Sequence, residues 1–331
     1  MNIGHEVGKR LIVGLPDLVL SKKTASHLRR INAGGVIVFE RNFRSGPQFK
    51  TLLGQIHDCL GRGLLVMLDH EGGRIIRFSR CLTRFPDALT VGLSKNPAQV
   101  RLQGEIEARE LKTLGINVNL APCADVLEKG SDPVIGDRSY GSDPKLVSKM
   151  CVERILGLQS NGVAACAKHF PGLGAVPKDP HKHLPTVGLG LDSMRERHLL
   201  PFSKSINCGV WSVMSSHVCY PKLDPVYTRP ATFSRRIMYD LLRKELGFKG
   251  LVISDDMEMG ALSKLCSMGE AAVLASEAGH DLLLICSNQD LQLEAFKALK
   301  RAYSSKRLKP KEWQGSLERI ERFRVKAGCP P

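Results

Sequence analysis

The sequence predicts an α/β fold, a single-domain TIM-like (β/α)8 barrel spanning residues 1–331. Three observations predict it. Eight short apolar segments recur along the chain, most of them continuous rather than alternating, as strands covered on both faces are. Each is followed by a loop and then a helical pattern, and no stretch is long or polar enough to read as a linker. With 43% hydrophobic residues among 331, the chain can fill one large core.

The eight segments are Leu11 to Leu15, Gly35 to Phe39, Leu64 to Leu68, Ile116 to Leu120, Val163 to Ala167, Val210 to Met214, Leu251 to Ile253 and Asp281 to Ile285. The helices between them carry start and stop signals. Asp143 with Pro144 forms an N-cap and first-turn pair; Leu146, Met150, Ile155 and Leu158 make the apolar stripe, and Gly162 closes it. A second helix begins at Ser234, runs through Ile237, Leu241 and Leu242, and stops at Gly247. Ser316 to Lys326 is the last packing helix, with Ser316 as its expected N-cap.

Composition narrows the function classes. No apolar run is long enough to span a bilayer, and the first fifteen residues carry His5, Glu6, Lys9 and Arg10 without a cleavage signal, so a cytoplasmic protein with no membrane insertion is expected. The ten cysteines are scattered, with no Cys-x-x-Cys, and read as reduced, mostly buried thiols rather than bridges or zinc ligands. Forty-eight Lys and Arg against thirty-three Asp and Glu give a net charge of +15. That excess suits an acidic partner, but it is spread along the chain and aromatics are few, which argues against nucleic acid.

Chemistry concentrates in one stretch. Lys168-His169-Phe170-Pro171-Gly172-Leu173-Gly174, continuing through Asp179-Pro180-His181, places a lysine, two histidines and a carboxylate in a Gly/Pro-rich loop after a buried strand. In a barrel, loops at the carboxyl ends of strands build the site. Polar residues after other apolar runs converge on the same mouth: Asp69-His70-Glu71-Gly72-Gly73-Arg74 with Arg77, Gly136-Asp137-Arg138-Ser139, and Ser254-Asp255-Asp256.

These motifs, in this order, resemble glycoside hydrolase family 3, and within it the bacterial NagZ-type β-N-acetylhexosaminidases. The resemblance also covers Gly34 to Phe39, Asn117 to Val126 and Phe233 to Asp256, nearly the whole chain. It implies that Asp255 is the nucleophile and that Asp256 is structural, as a cap of the following helix. It implies a histidine as general acid/base, His181 by motif, partnered by Asp179. Imidazole titrates near neutrality, and a neighbouring carboxylate favours its charged form. Substrate-holding roles carry over to Asp69, Arg77, Arg138, Lys168 and His169, with Arg74, Glu71 and His217 in support and His70 outside the site.

Two positions depart from the family pattern, Leu173 and Pro180. Leu173 cannot make the polar contacts of the histidine usual there, which weakens the expected anchoring of the loop; Pro180 stiffens the Asp179–His181 geometry. The function expected is a retaining exo-β-N-acetylglucosaminidase acting on a small saccharide, GlcNAc-anhydro-N-acetylmuramic acid with or without its peptide, during peptidoglycan recycling. The implied enzyme is a monomer without metal or other cofactor. Its rivals are a phosphorolytic enzyme of the same fold, a metal-dependent hydrolase using His169, Asp179, His181 and His183, and a non-enzymatic basic binding module.

Overall fold

The computed structural model describes residues 3–130, 134–176 and 184–329. Its eight strands are β1 (Leu11–Gly14), β2 (Gly35–Ile37), β3 (Leu65–Leu68), β4 (Val118–Asn119), β5 (Ala164–Phe170), β6 (Ser212–Ser215), β7 (Leu251–Asp256) and β8 (Leu282–Ile285). Each falls on one of the apolar segments. All pair in parallel and in chain order, and β8 returns to β1, so the sheet closes with no free edge. No helix among the described residues is long and apolar enough to cross a membrane. All ten cysteines are free thiols.

Two apolar layers hold the barrel. Side chains pointing inward, including Ile12, Leu65, Met67, Val118, Met214 and Ile253, fill the interior. Ile320 and Phe323 of the last helix join that cluster and close the end where the strands begin. The outward-pointing residues pack beneath the surrounding helices in a second, larger cluster. This double burial is why the strands read as continuous apolar runs.

The sheet is regular except at two places. Between Ala167 and Phe170, β5 advances three residues while β6 advances two, from Val213 to Ser215; between Ile253 and Asp256, β7 likewise gains one residue on β8. A bulge of this kind re-aims the side chains beside it. These two bulges contain Lys168 and His169, and Ser254 and Asp255.

Helix signals were legible at most ends. The helix Pro144–Ser160 is capped by Asp143, whose side chain accepts from Lys145 N, and Gly162 follows in the left-handed region at φ 78°. Ser234 Oγ accepts from Ile237 N at the head of the segment Arg236–Glu245, which is wound as a π-helix. The last helix corrects the expectation for Ser316. It starts at Pro310, not after Ser316, so Ser316 lies inside it and caps nothing. Pro310 is the stronger start signal because its fixed φ suits a first turn and its missing N–H costs nothing there.

Helices Pro97–Thr113 and Pro144–Ser160 pack closely because Gly157 lacks a side chain; a Cβ there would lie 2.4 Å from the Arg101 carbonyl oxygen. That approach buries the Arg154–Glu107 ion pair, with Arg154 Nη2 2.6 Å from Glu107 Oε1. The same guanidinium donates to the carbonyls of His70 and Glu71, at 3.3 and 3.2 Å, and so fixes the loop after β3. Arg154→Leu should therefore cost about 3–5 kcal/mol in urea denaturation, because Glu107 would remain buried without a cationic partner, with only Gln103 among the described residues donating to it. Arg154→Leu combined with Glu107→Leu should recover part of that loss in the same measurement.

Candidate active site

The carboxyl ends of β3, β4 and β5 carry a connected set of buried charges. Lys168 Nζ lies 2.6 Å from Asp69 Oδ1 and 2.7 Å from Glu71 Oε1. Arg138 grips the Glu71 carboxylate with two parallel bonds of 2.8 Å. Burial alone would raise the pKa of Glu71, but Arg138 and Lys168 hold it well below the carboxylate range. Burial likewise opposes the charge on Lys168, and Asp69 and Glu71 more than restore it. Three strands thus meet through opposite charges that water scarcely reaches.

His169 continues the set. Its Nε2 lies 3.3 Å from Arg138 Nη2 and its Nδ1 lies 2.7 Å from Asp125 Oδ2. Asp125, fully buried in the loop after β4, also receives the backbone N–H groups of His169 and Leu173. One carboxylate therefore orients the imidazole and ties down the stem of the loop that follows β5.

That stem is firmly held. Leu173 is 4% exposed and belongs to the main core cluster, so the leucine anchors by burial and by its backbone where a polar side chain would have used hydrogen bonds. The expectation of a weakened anchor is corrected for this stem. Tyr220 donates its hydroxyl to Gly172 O at 2.8 Å, and Glu128 N donates to Gly174 O at 3.1 Å. Gly174 runs so close to its neighbour that a Cβ would sit 1.8 Å from the Val126 carbonyl oxygen. The Asp179, Pro180, His181 and His183 positions lie outside the described residues.

The opposite wall comes from β6 and β7. Asp255 sits at the end of β7, half-buried, with Asp256 N donating to its Oδ1 at 2.8 Å. Burial pushes its pKa up, but His169, His217, that N–H and Lys168 outweigh burial and hold it below the ordinary aspartate value. Asp256 behaves differently: burial, with Glu258 and Asp255 nearby, pushes it up to about 6. Its Oδ1 accepts from Glu258 N and Cys286 N, joining the turn after β7 to the end of β8, so it braces that turn rather than capping a helix. His217 is fixed between Thr232 Oγ1 at 2.6 Å and the Asp256 carbonyl oxygen at 3.0 Å.

Arg77 stands over the Phe39 ring at 5.8 Å, and its Nε has no hydrogen-bond partner among the described residues. Arg74 reaches away to Asp137 at 2.7 Å and to the Val134 carbonyl. His70 is 1% exposed; burial first, and Arg154 second, push its pKa down to about 4, so it is an uncharged structural residue.

Asp125 is the residue that sequence reading missed. The available signal was a lone carboxylate within the apolar stretch Leu120 to Val126, where burial demands a partner. Glu71, expected in a supporting role, proves to be the joint between Lys168 and Arg138.

Cys123, Asp125 and His169 lie close enough together to suggest a metal site. Their donor atoms bond one another, with Cys123 Sγ and His169 Nδ1 both meeting Asp125 Oδ2. Cys123 Sγ donates to Asp125 Oδ2 at 3.1 Å, and burial, followed by Asp125, holds the thiol protonated, whereas a metal needs the thiolate. Both ring nitrogens of His169 are likewise engaged. The Arg138 guanidinium beside His169 opposes a second cation there, and the three side chains satisfy one another without one.

Comparison with known proteins places the chain among relatives. Residues 8–323 match the N-terminal domain of glycosyl hydrolase family 3. A β-hexosaminidase of Nitrosomonas eutropha is 35% identical over 301 residues, covering 89% of this chain and 85% of that one. The solved family 3 β-N-acetylglucosaminidase of Paenibacillus sp. str. FPU-7 superposes with a TM-score of 0.96 at 34% identity, over 99% of this chain; the chain spans only 63% of that longer protein. NagZ of Neisseria gonorrhoeae superposes with a TM-score of 0.79 at 30% identity, over 95% of this chain and 97% of its own. The chain belongs to glycosyl hydrolase family 3, and it is the barrel of a glycoside hydrolase that these residues build.

Proposed function

We propose that the chain is a retaining exo-β-N-acetylglucosaminidase that removes a terminal β-linked GlcNAc from small peptidoglycan fragments. The observation that carries the reading is Asp255, which sits in the β7 bulge at the carboxyl end of the strand, where His169, His217 and Lys168 hold it below the ordinary aspartate value. The names of the relatives support the sugar, since they include β-hexosaminidases and a β-N-acetylglucosaminidase, and NagZ of Neisseria gonorrhoeae was solved with N-trifluoroacetyl-D-glucosamine.

In this reading the Asp255 carboxylate attacks the anomeric carbon and the glycosidic C–O bond breaks. His181, with Asp179 beside it in sequence, gives a proton to the departing oxygen. Water then attacks the same carbon and returns its proton to His181, and the carboxylate of Asp255 leaves. The second Asp69 oxygen, away from Lys168, is available to a sugar hydroxyl, and Lys168 keeps one N–H beyond its two carboxylates. Arg77, Arg138 and His169 are assigned to holding the substrate as well. The aglycone proposed is anhydro-N-acetylmuramic acid with or without peptide, whose carboxylates suit a chain of net charge +15. Both reacting groups are side chains, so the reaction needs no cofactor. We place residues 1–331 as one monomeric catalytic domain working in the cytoplasm.

Three substitutions test the assignment, read by chromophore release from an aryl β-N-acetylglucosaminide and by cleavage of a natural disaccharide. Asp255→Asn should reduce both to background, with or without added phosphate; phosphate-dependent formation of a sugar 1-phosphate by the wild type would instead identify a phosphorylase. His181→Ala should lose on the order of 10²- to 10⁴-fold on the disaccharide and far less on the aryl glycoside, whose leaving group needs no proton. Equal losses on both substrates would remove His181 from the role of acid. Asp125→Asn should cost about 10- to 100-fold in kcat by releasing His169 and the loop stem, with the larger loss on the disaccharide because that loop carries His181.

A further inference from the structure

A cavity of about 600 Å³ opens at the opposite end of the barrel, where the strands begin. Arg10 precedes β1 there, Gly279 and His280 precede β8, and the last helix supplies Trp313, Ser316 and Arg319. Seven cationic side chains line it against two carboxylates, Glu277 and Glu312. The volume is that of an ordinary small-molecule site.

The charges at its base do not balance. Asp281, fully buried, accepts from Arg319 Nε and Nη2 at 3.1 and 2.9 Å, and from Arg243 Nη2 and Val252 N at 2.6 and 2.9 Å. Arg10 lies beside them, stacked 4.3 Å from the Trp313 centroid and donating to the backbone carbonyls of His280 and Asp281. One carboxylate thus bonds two guanidinium groups and faces a third, Arg10, only through space. Burial, and then Arg319, weaken the hold of both Arg10 and Arg243 on their protons, against the pull of Asp281. His280 adds no charge, because burial pushes its pKa down to about 3.

At the rim, Glu312 is shared between Arg235 and Lys309, and Arg307 is matched by Glu270 and Glu277. Lys311 is exposed, with no ion pair among the described residues. Two buried polar atoms on the lining also lack partners: Arg243 Nε and Ser316 Oγ, the latter on a residue 3% exposed.

We propose that this cavity is a second binding site, for a small molecule carrying a phosphate or pyrophosphate group. A lone carboxylate would leave most of the excess charge unanswered, whereas a multiply charged oxyanion answers it and fits planar guanidinium donors. The site lies away from Asp255 and depends on none of the residues assigned to the glycosidase reaction.

Calorimetric titration of the 331-residue protein with pyrophosphate and with inorganic phosphate, at about 0.15 M salt where diffuse attraction is screened, tests this. One saturable pyrophosphate site is expected, weakened about tenfold or more by Arg319→Gln. Gly315→Leu should abolish it while keeping every charge: a Cβ at Gly315 meets only Arg319 Nη1 at 3.5 Å, so the longer side chain fills the cavity, and leucine suits a helix better than glycine. Asp255→Asn should bind as the wild type does. The proposal falls if the wild type shows no saturable binding, if Gly315→Leu binds unchanged, which would mean diffuse surface charge, or if Asp255→Asn abolishes binding, which would place the anion in the catalytic mouth.

Discussion

Glu71 is the constraint on which the rest of the mouth depends. Lys168 and Arg138 are both buried cations, and without a carboxylate between them they would repel at close range in a poorly screened interior. With Glu71 in place they become mutually supporting. Glu71 is itself held by backbone, since Arg154 donates to its carbonyl, and Arg154 is compensated by Glu107 between two helices. A line of alternating charge therefore runs from the helical layer, through the loop after β3, to the ends of β4 and β5. Breaking it at any point strands a buried charge.

The line continues to the loop stem through Arg138, His169 and Asp125. Asp125 collects donors from a side chain and from two backbone amides, so the position of His169 and the departure angle of the loop after β5 are set by one group. Leu173 shows how a polar anchor can be replaced. Its side chain joins the apolar core, and burial supplies the hold while the backbone amide keeps the polar contact.

Asp255 and Asp256 are neighbours with different environments. Asp255 faces the imidazoles and Lys168, which favour its anion; Asp256 faces Glu258 and Asp255 and is spent on two backbone amides. The two environments set the adjacent carboxyl groups apart: Asp256 braces the turn, and the proposed function gives the chemistry to Asp255. The far end of the barrel makes a contrast, because there Asp281 is outnumbered by arginines and the excess remains positive.

Much of this was legible in the order of residues. The eight apolar runs, the Asp143-Pro144 start and the Gly162 and Gly247 stops specified the barrel because they are local: burial on both faces, capping and left-handed backbone each depend on a few neighbouring residues. The polar residues after β3, β5 and β7 were found for the same reason, since strand ends in a barrel must face one mouth. What only the tertiary structure decided concerns partners distant along the chain. Asp125 meets His169, Glu71 meets Arg138, and Asp281 meets Arg319 across separations of dozens of residues, and no local pattern records such pairings. The bulges in β5 and β7 belong to the same class: a residue gained on one strand is defined only by register against the next, and that register is set when the barrel closes.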